Sequence, residues 1–212
     1  MRPLFTIHAG EFVVGDYIER KFRRVNLWVP SRDTGTDLLV TDSKNERAVS
    51  LQVKFSRDFL ATHMPSIFQK PLRACGWWSL NRDKIAKSKA DYWVFVLVGF
   101  ERRSTDFVII KPSELLTRLT AIHKKGKTIQ SYLWVTEKNR CWESRGLKRQ
   151  EQLAIAQGQY ANSERDLTAY LNNWAPIQAL NGKYRMTSNK RVEWDSLGRR
   201  FASPPLAAHA RR

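Results

Sequence analysis

One short alternating segment carries side chains that could do chemistry together. Residues 48–56 alternate between polar and apolar side chains with period two, which predicts a β-strand. Gln52 and Lys54 therefore share one face of this strand, whereas Val53 and Phe55 share the other and are expected to face a core. The polar face thus presents an amide oxygen beside an ammonium group.

The preceding strand supplies a carboxylate. Residues 36–42 are predicted to form this strand, and the polar residues 43–46 are predicted to connect it to the next strand as an antiparallel hairpin. In that hairpin Asp37 approaches Gln52 and Lys54. A carboxylate, an amide oxygen and an ammonium group then converge on one small area.

This combination of groups suits the hydrolysis of a phosphodiester. A hard divalent cation prefers oxygen ligands, which the Asp37 carboxylate, the Gln52 side chain and the Val53 backbone carbonyl could supply. Lys54 cannot bind a cation while it is protonated. It could instead orient or deprotonate a water molecule, or stabilise charge that builds up on a phosphate. We therefore expect Mg2+, or Mn2+, as the cofactor.

Three short motifs occur in a fixed order along the first part of the chain. They are Gly10-Glu11 in a predicted helix, Gly35-Thr36-Asp37-Leu38-Leu39-Val40, and Leu51-Gln52-Val53-Lys54. In residue type and spacing they resemble the PD-(D/E)XK nuclease superfamily, which has the restriction-endonuclease-like fold, and the resemblance covers residues 7–125. The third motif begins with Glu or Asp in most of that superfamily, and its Gln-x-Lys form is similar to Mrr-like restriction enzymes.

The resemblance implies a metal-dependent endonuclease with four catalytic residues. Asp37 and Gln52 correspond to metal ligands and Lys54 to the catalytic lysine. Glu11 corresponds to an acid of the first helix that reaches the metal directly or through water. Because Gln52 stands where an acid is usual, two alternatives stay open. One is a degenerate nuclease fold that binds nucleic acid without cutting it, and the other is a nuclease subunit that a partner directs to its target.

The residues themselves leave two further questions open. Asp33 or Asp42 could be the carboxylate ligand in place of Asp37, although each lies in a turn or at a strand edge. Trp77 and Trp78 could belong to the core or could stack on nucleic-acid bases. Both questions depend on where these side chains lie in the fold, which the sequence does not show.

The predicted elements place this site in an α/β fold with a central mixed β-sheet flanked by helices. Strands are predicted at residues 24–30, 36–42, 48–56, 92–98, 105–110 and 128–135. Helices are predicted at residues 8–22, 113–123, 146–157 and 163–175. The continuous apolar run at 92–98 is typical of a central strand that is buried on both faces.

The remaining segments carry weaker patterns. Residues 57–78 fit a loop or a short helix, and residues 79–90 fit a solvated helix or loop. Ser113 is expected to cap one helix, and the spacing of Ser163 and Asp166 resembles a capping box at the start of another.

The charge divides the chain into a basic body and a basic end. The 212 residues include 37 Lys and Arg against 20 Asp and Glu, which gives a net charge of +17 and favours polyanionic partners. Residues 1–180 are predicted to form a restriction-endonuclease-like domain with C-terminal helices. Residues 181–212, with eight basic and two acidic residues, are predicted to form an extended basic arm.

We expect the partner to be nucleic acid, DNA rather than RNA, and we leave a homodimer open. The residues predicted to contact it are Arg32, Lys44, Arg57, Lys183, Arg185, Lys190 and Arg191. The sequence lacks the long apolar run of a membrane span and the pattern of a secretory signal, so we expect a cytoplasmic protein without a membrane partner. Cys75 and Cys141 are expected to be half-buried, reduced thiols, and no zinc-ligand spacing is present.

Overall fold

The computed structural model of the chain describes residues 8–32, 35–60, 64–123 and 126–180. The predicted basic arm at 181–212 lies outside these residues. The strands are β1 Val25–Trp28, β2 Leu38–Asp42, β3 Ala48–Ser56, β4 Leu72–Asn81, β5 Tyr92–Gly99, β6 Ser104–Ile110, β7 Thr128–Thr136 and β8 Cys141–Glu143. The helices are α1 Ala9–Lys21, α2 Ser66–Gln69, α3 Arg82–Ala86, α4 Pro112–Ile122, α5 Arg149–Gln157 and α6 Ala175–Leu180.

The strands form two sheets. The larger sheet has the order β1-β2-β3-β5-β6, and only β3 and β5 pair in parallel, so the predicted mixed sheet is confirmed. A second, antiparallel sheet with the order β4-β7-β8 was not predicted from the sequence. The chain is therefore α/β with helices flanking two sheets rather than one.

The parallel pair determines how the chain must run between β3 and β5. Two parallel neighbours need a crossover of a dozen or more residues. Here residues 57–91 form that crossover, and they include α2, β4 and α3. At its end the Asp91 carboxylate accepts hydrogen bonds from the Ser50 backbone N–H (2.8 Å) and from the Ser50 hydroxyl (2.7 Å), which joins the residue before β5 to the first half of β3.

The chain packs in four layers: helices, the larger sheet, the smaller sheet and helices. Helices α1 and α6 cover one face of the larger sheet, with Val14, Ile18 and Ile177 in that core. The smaller sheet and α4 cover its other face. Helices α2 and α5 cover the outer face of the smaller sheet through Phe68 and Ile155. Both faces of the central strand β5 are thus buried, which is why β5 is a continuous apolar run.

A buried ion pair connects the two sheets. Arg73 of β4 donates hydrogen bonds to both carboxylate oxygens of Asp106 in β6, at 2.9 and 2.7 Å. Asn172 donates a third hydrogen bond to the same carboxylate at 2.9 Å. Because a buried charge is costly unless it is paired and hydrogen-bonded, this arrangement favours one position of the smaller sheet against the larger one.

Helix α1 lies very close to β3. A Cβ atom added to Gly10 would lie 2.6 Å from Cβ of Phe55 and 3.2 Å from Cγ1 of Val53. Only glycine allows this approach, which brings the neighbouring Glu11 to the edge of the sheet. Phe55 itself was expected to face a core, but it is 41% exposed although α1 lies against it.

The expectation of loops and short helices for the segment 57–90 is confirmed only in part, because α2 and α3 are short helices but residues 72–81 are not helical. Residues 72–81 form β4, a long strand of the smaller sheet, followed by the single-turn helix α3. Layers on both faces of β4 bury most of its side chains, so polar and apolar residues do not alternate clearly. A register irregularity between Leu72 and Ala74 disturbs the pattern further.

The predicted helix at 163–175 is also wrong. This segment contains turns, a 3-10 helix at Thr168–Tyr170 and the start of α6. The Asp166 carboxylate is used elsewhere, because it accepts hydrogen bonds from Arg140 (2.6 Å) and from the Thr168 backbone (2.9 Å). Ser113 does not cap α4 either, since that helix starts one residue earlier with Pro112 in its first turn.

Two further expectations can be compared with the structure. Cys75 and Cys141 are both free, as expected, but fully buried rather than half-buried. Burial raises the pKa of the Cys75 thiol to about 12. None of the described helices combines the length and the apolar character needed to cross a membrane.

Candidate active site

The four predicted catalytic residues line one cavity of about 740 Å³ between the two sheets. Glu11 comes from α1, Asp37 from the residue before β2, and Gln52 and Lys54 from β3. Val53 also lines it. The opposite wall is formed by the end of β4, by α3 and by the segment that leads into β5.

Asp37 is held against the edge of β3 by two hydrogen bonds. Its carboxylate oxygen Oδ2 accepts the backbone N–H of Val53 at 2.6 Å, and its own N–H donates to the Leu51 carbonyl at 2.8 Å. The N–H and C=O of one strand residue point to the same side of the strand. The Val53 carbonyl therefore lies on the Asp37 side of β3, as the proposed ligand set requires.

Glu11 lies in the first turn of α1 and is only 9% exposed. Its Oε2 atom accepts the backbone N–H of His8 at 3.1 Å. An acid in this position satisfies one of the helix's unpaired N–H groups and interacts favourably with the helix dipole. His8, to which the sequence gives no specific role, lines the cavity beside it.

Gln52 and Lys54 share the face of β3 that points away from α1. The Lys54 ammonium lies 5.1 Å from the centroid of the Trp93 ring, a distance suitable for a cation–π interaction. The Trp93 indole is itself oriented by a hydrogen bond from its Nε1–H to the Ser88 hydroxyl at 2.9 Å. This arrangement directs the lysine toward the cavity rather than along the strand.

Three lysines on the opposite wall were missed by the sequence analysis. Lys84, Lys87 and Lys89 are exposed and line the cavity on and after α3. The start of α3 is capped by Asn81, whose side-chain oxygen accepts the Lys84 backbone N–H at 3.0 Å. In the sequence these lysines appear as a cluster directly before the apolar strand β5. The cluster alone indicated only a solvated segment, because the sequence does not reveal how the crossover between β3 and β5 folds back onto the cavity.

The alternative ligand Asp42 is used structurally. Its carboxylate accepts hydrogen bonds from Arg47 Nε (3.0 Å) and the Glu46 N–H (2.9 Å) in the turn between β2 and β3. Burial acts to raise the pKa of Asp42, but these hydrogen bonds and the Arg47 charge outweigh it and hold the pKa below its usual value. Asp33 lies outside the described residues. Of the two described aspartates, Asp37 lines the cavity and Asp42 does not belong to its described lining.

Three of the residues predicted to bind nucleic acid belong to the described part of the chain. Arg32, Lys44 and Arg57 are exposed, and none belongs to the described lining of the cavity. Lys44 lies in the turn before β3, and the strand from Ala48 to Lys54 alone spans about 20 Å at ~3.3 Å per residue. The predicted contacts Lys183, Arg185, Lys190 and Arg191 lie outside the described residues.

The two adjacent tryptophans have different environments. Trp78 is 6% exposed and packs edge-on against Phe95 at 5.0 Å between ring centroids. Trp77 points to the other side of β4 and is 38% exposed. Of this pair, only Trp77 presents its ring to solvent.

The donor set of the cavity fits a hard divalent cation. Glu11 and Asp37 contribute carboxylates, and Gln52 and Val53 contribute neutral carbonyl oxygens. Across residues 8–32, 35–60, 64–123 and 126–180, no group of three or more His, Cys, Asp or Glu side chains could hold a metal. A metal held here therefore depends on Gln52 and on backbone or water oxygen as well as on the two acids.

The cavity thus has two chemically different walls. The wall on the β3 side carries oxygen donors around Lys54, and the wall on the α3 side carries three ammonium groups and the Asp83 carboxylate. Comparison of the chain with protein-family models, curated proteins and solved structures gives no match. Inferences about function therefore come from the chemistry of these two walls.

Proposed function

We propose that this protein is a metal-dependent endonuclease that hydrolyses phosphodiester bonds of nucleic acid, with DNA as the preferred substrate. The observation that carries the proposal is that Glu11, Asp37, Gln52 and Lys54 line the same cavity. The mixed five-stranded sheet, with α1 packed on β3, further supports a restriction-endonuclease-like fold of the PD-(D/E)XK superfamily.

The ligands for Mg2+ or Mn2+ would be Asp37, Gln52, the Val53 carbonyl and Glu11, the last directly or through water. When bound, the cation supplies positive charge for the phosphate and lowers the pKa of a water molecule. Asp37 keeps its position through the Val53 N–H, and Glu11 through the His8 N–H. The two acids are thus oriented before substrate arrives.

Lys54 supplies the remaining charge. Hydrolysis adds water to phosphorus, breaks one P–O bond and leaves a phosphate monoester and an alcohol. Negative charge builds up on the phosphate oxygens during this step, and an ammonium group placed beside them stabilises it. The interaction with Trp93 keeps the Lys54 ammonium in place. Lys84, Lys87 and Lys89 would hold neighbouring phosphates of the strand.

One observation favours a second candidate, a nucleic-acid-binding protein that does not cut. The described residues contain no group of three acidic or other strong metal-ligating side chains, because Gln52 is neutral. The lysine wall and the net charge of +17 would still support binding in that case.

Cleavage assays separate the two candidates. The purified protein is incubated with plasmid, linear duplex, single-stranded DNA and RNA, in Mg2+, Mn2+ or EDTA. We expect cutting in the metals and none in EDTA, with Lys54→Ala and Asp37→Asn at least about 100-fold slower. Lys138→Ala removes an exposed lysine in the turn between β7 and β8 that does not line the cavity; it is the matched control and should cut at the wild-type rate.

Thermal melting accompanies each variant, to show that its fold is intact. Wild-type rates in both Lys54→Ala and Asp37→Asn would contradict the assignment of the site. Binding without cutting in either metal would instead support the non-catalytic candidate.

A further inference from the structure

An aromatic cluster with one cation lies on the surface of the crossover. The Trp77 ring is 6.4 Å from the Phe59 ring between centroids, at an interplanar angle of 65°. The Arg57 guanidinium lies over the Phe59 ring, 5.0 Å from its centroid. Trp77 and Arg57 are both exposed. These three residues are called the aromatic platform below.

The aromatic platform adjoins the cavity along two strands. On β4, Ser79 lines the cavity and lies on the same face as Trp77, two residues away, which is about 7 Å. On β3, Ser56 lies two residues beyond Lys54 on the same face, and its hydroxyl accepts the Trp77 backbone N–H at 3.0 Å. Ser79 is exposed, so a ligand in the cavity that continues past it reaches Trp77, whose backbone is anchored by the buried Ser56.

The positive charge around Trp77 indicates which class of molecule this exposed tryptophan binds. Arg57 on the platform and the cavity lysines are positive, in a chain of net charge +17. A polyanion complements this surface, whereas a basic protein does not. Nucleic acid offers both the negative charge and flat rings that stack on Trp77.

Stacking also requires bases that are free to leave their neighbours. In a duplex each base is stacked between its neighbours, so its face is not available to a protein side chain. Proteins that hold single strands combine a positive groove for the backbone with aromatic rings on which successive bases stack. The lysine wall of the cavity and the adjacent platform correspond to these two parts.

We propose that Arg57, Phe59 and Trp77 form a base-stacking platform, so that the substrate is single-stranded nucleic acid or a single-stranded segment within a duplex. Unpaired bases stack on Trp77 while the phosphate beside them enters the cavity. This inference rests on the proposed nuclease function for the role of the cavity, and it specifies the class of substrate.

Equilibrium binding in EDTA tests the platform without relying on cleavage. Fluorescence anisotropy is measured with a labelled oligothymidylate, an abasic strand of the same length and a duplex of the same length. We expect the wild type to prefer oligothymidylate. Trp77→Ala should weaken that binding by about 5- to 150-fold, the range for loss of one stacked base, and leave the abasic strand and duplex unaffected.

Two further variants make the result specific. Trp28→Ala is the matched control, because Trp28 is 50% exposed on β1 and should not change binding. Trp77→Phe keeps a ring and should retain most of the affinity, but should lose the quenching of tryptophan fluorescence that oligothymidylate causes in the wild type. It also serves as the informative variant if Trp77→Ala does not fold.

The outcomes distinguish this inference from the proposed function. Unchanged oligothymidylate binding in Trp77→Ala, or an equal loss with duplex and abasic strand, overturns the platform even if metal-dependent cutting is observed. A selective loss of oligothymidylate binding supports the platform even if no substrate is cut in any metal. Absence of quenching in the wild type also overturns it.

Discussion

Gln52 determines the charge of the candidate metal site. The cavity places two carboxylates, Glu11 and Asp37, beside this neutral amide. A neutral ligand attracts a divalent cation less strongly than a carboxylate does, since ligand charge is one of the factors that tune such affinities. The site should therefore bind its cation weakly and should respond strongly to a change at this one residue.

Replacing this amide by an acid tests the ligand assignment. We expect Gln52→Glu to tighten Mg2+ and Mn2+ binding by about tenfold or more, measured by titration calorimetry. A tenfold change is ~1.4 kcal/mol, well within the ~4 kcal/mol that two unit charges 4 Å apart exchange near a protein surface. Mn2+ should bind more tightly than Mg2+ in the wild type.

Gln157→Glu adds the same charge at the exposed end of α5 and is the control, for which no change is expected. Unchanged metal affinity in Gln52→Glu would show that Gln52 is not a ligand.

At the residue scale, the sequence predicted one wall of the cavity and not the other. Asp37, Gln52 and Lys54 could be placed together because a period-two strand and a short hairpin are local patterns. Lys84 and Lys87 could not be placed, because their position depends on the path of a crossover with no local pattern of its own. Trp77 and Trp78 could not be told apart for the same reason.

At the scale of elements, the contact between α1 and β3 positions Glu11. The missing side chain of Gly10 allows the helix to lie against Phe55 and Val53. A larger residue there would force the helix and the strand apart, because packed interiors absorb extra volume poorly. The position of the Glu11 side chain thus depends on the preceding Gly10.

Gly10→Ala should therefore lower both stability and activity. Overpacking of this kind costs about 1–3 kcal/mol, although alanine is the better helix former by about 1 kcal/mol. We expect the melting temperature to fall by a few degrees and cleavage to fall further than the loss of folded protein explains, because Glu11 moves with α1.

Gly126→Ala is the matched control, since a Cβ there meets its nearest neighbour at an ordinary 3.5 Å. A Gly10→Ala variant with unchanged melting temperature and unchanged cleavage would show that the approach of α1 is not required.

Elements were predicted best where one face of a strand or helix is solvated. β3 and α4 were found for that reason, and β5 because it is apolar throughout. β4 was missed because it lies between two packed layers. The false helix at 163–175 arose from a capping pattern whose aspartate pairs with Arg140 instead. Tertiary contacts overrode local propensity in both cases.

At the scale of the whole molecule, the charge is distributed between the body and the end of the chain. Residues 182–212 hold eight basic and two acidic residues, a net charge of +6 out of +17. Cations that neutralise phosphates release counterions, so affinity for duplex DNA falls with salt at a slope of about −0.9 for each phosphate neutralised. The last residues should therefore contribute to affinity without contributing to selectivity.

Deleting residues 182–212 should weaken nucleic-acid binding and flatten the plot of log affinity against log salt, by up to about 0.9 per lost contact. Melting temperature and the cleavage rate at saturating substrate should stay close to wild type. A full-length variant with the eight basic residues of this segment changed to glutamine controls for length and should behave like the deletion.

A different result is expected if residues 182–212 pack on the rest of the protein. Tyr184, Trp194, Leu197 and Phe201 are four large apolar side chains that could dock on the body. A deletion that lowers the melting temperature by several degrees, with an unaltered salt dependence, would show that the segment is structural.

The parallel pairing of β3 with β5 has a consequence for how such a protein could diverge. The groups assigned to chemistry lie within residues 11–54, whereas the lysine wall and the aromatic platform lie within the crossover, residues 57–91. The two sets are consecutive in the chain and do not interleave. Under the proposed function, changes in the exposed α3 segment of the crossover would alter which nucleic acid is held and would leave the proposed catalytic residues in place.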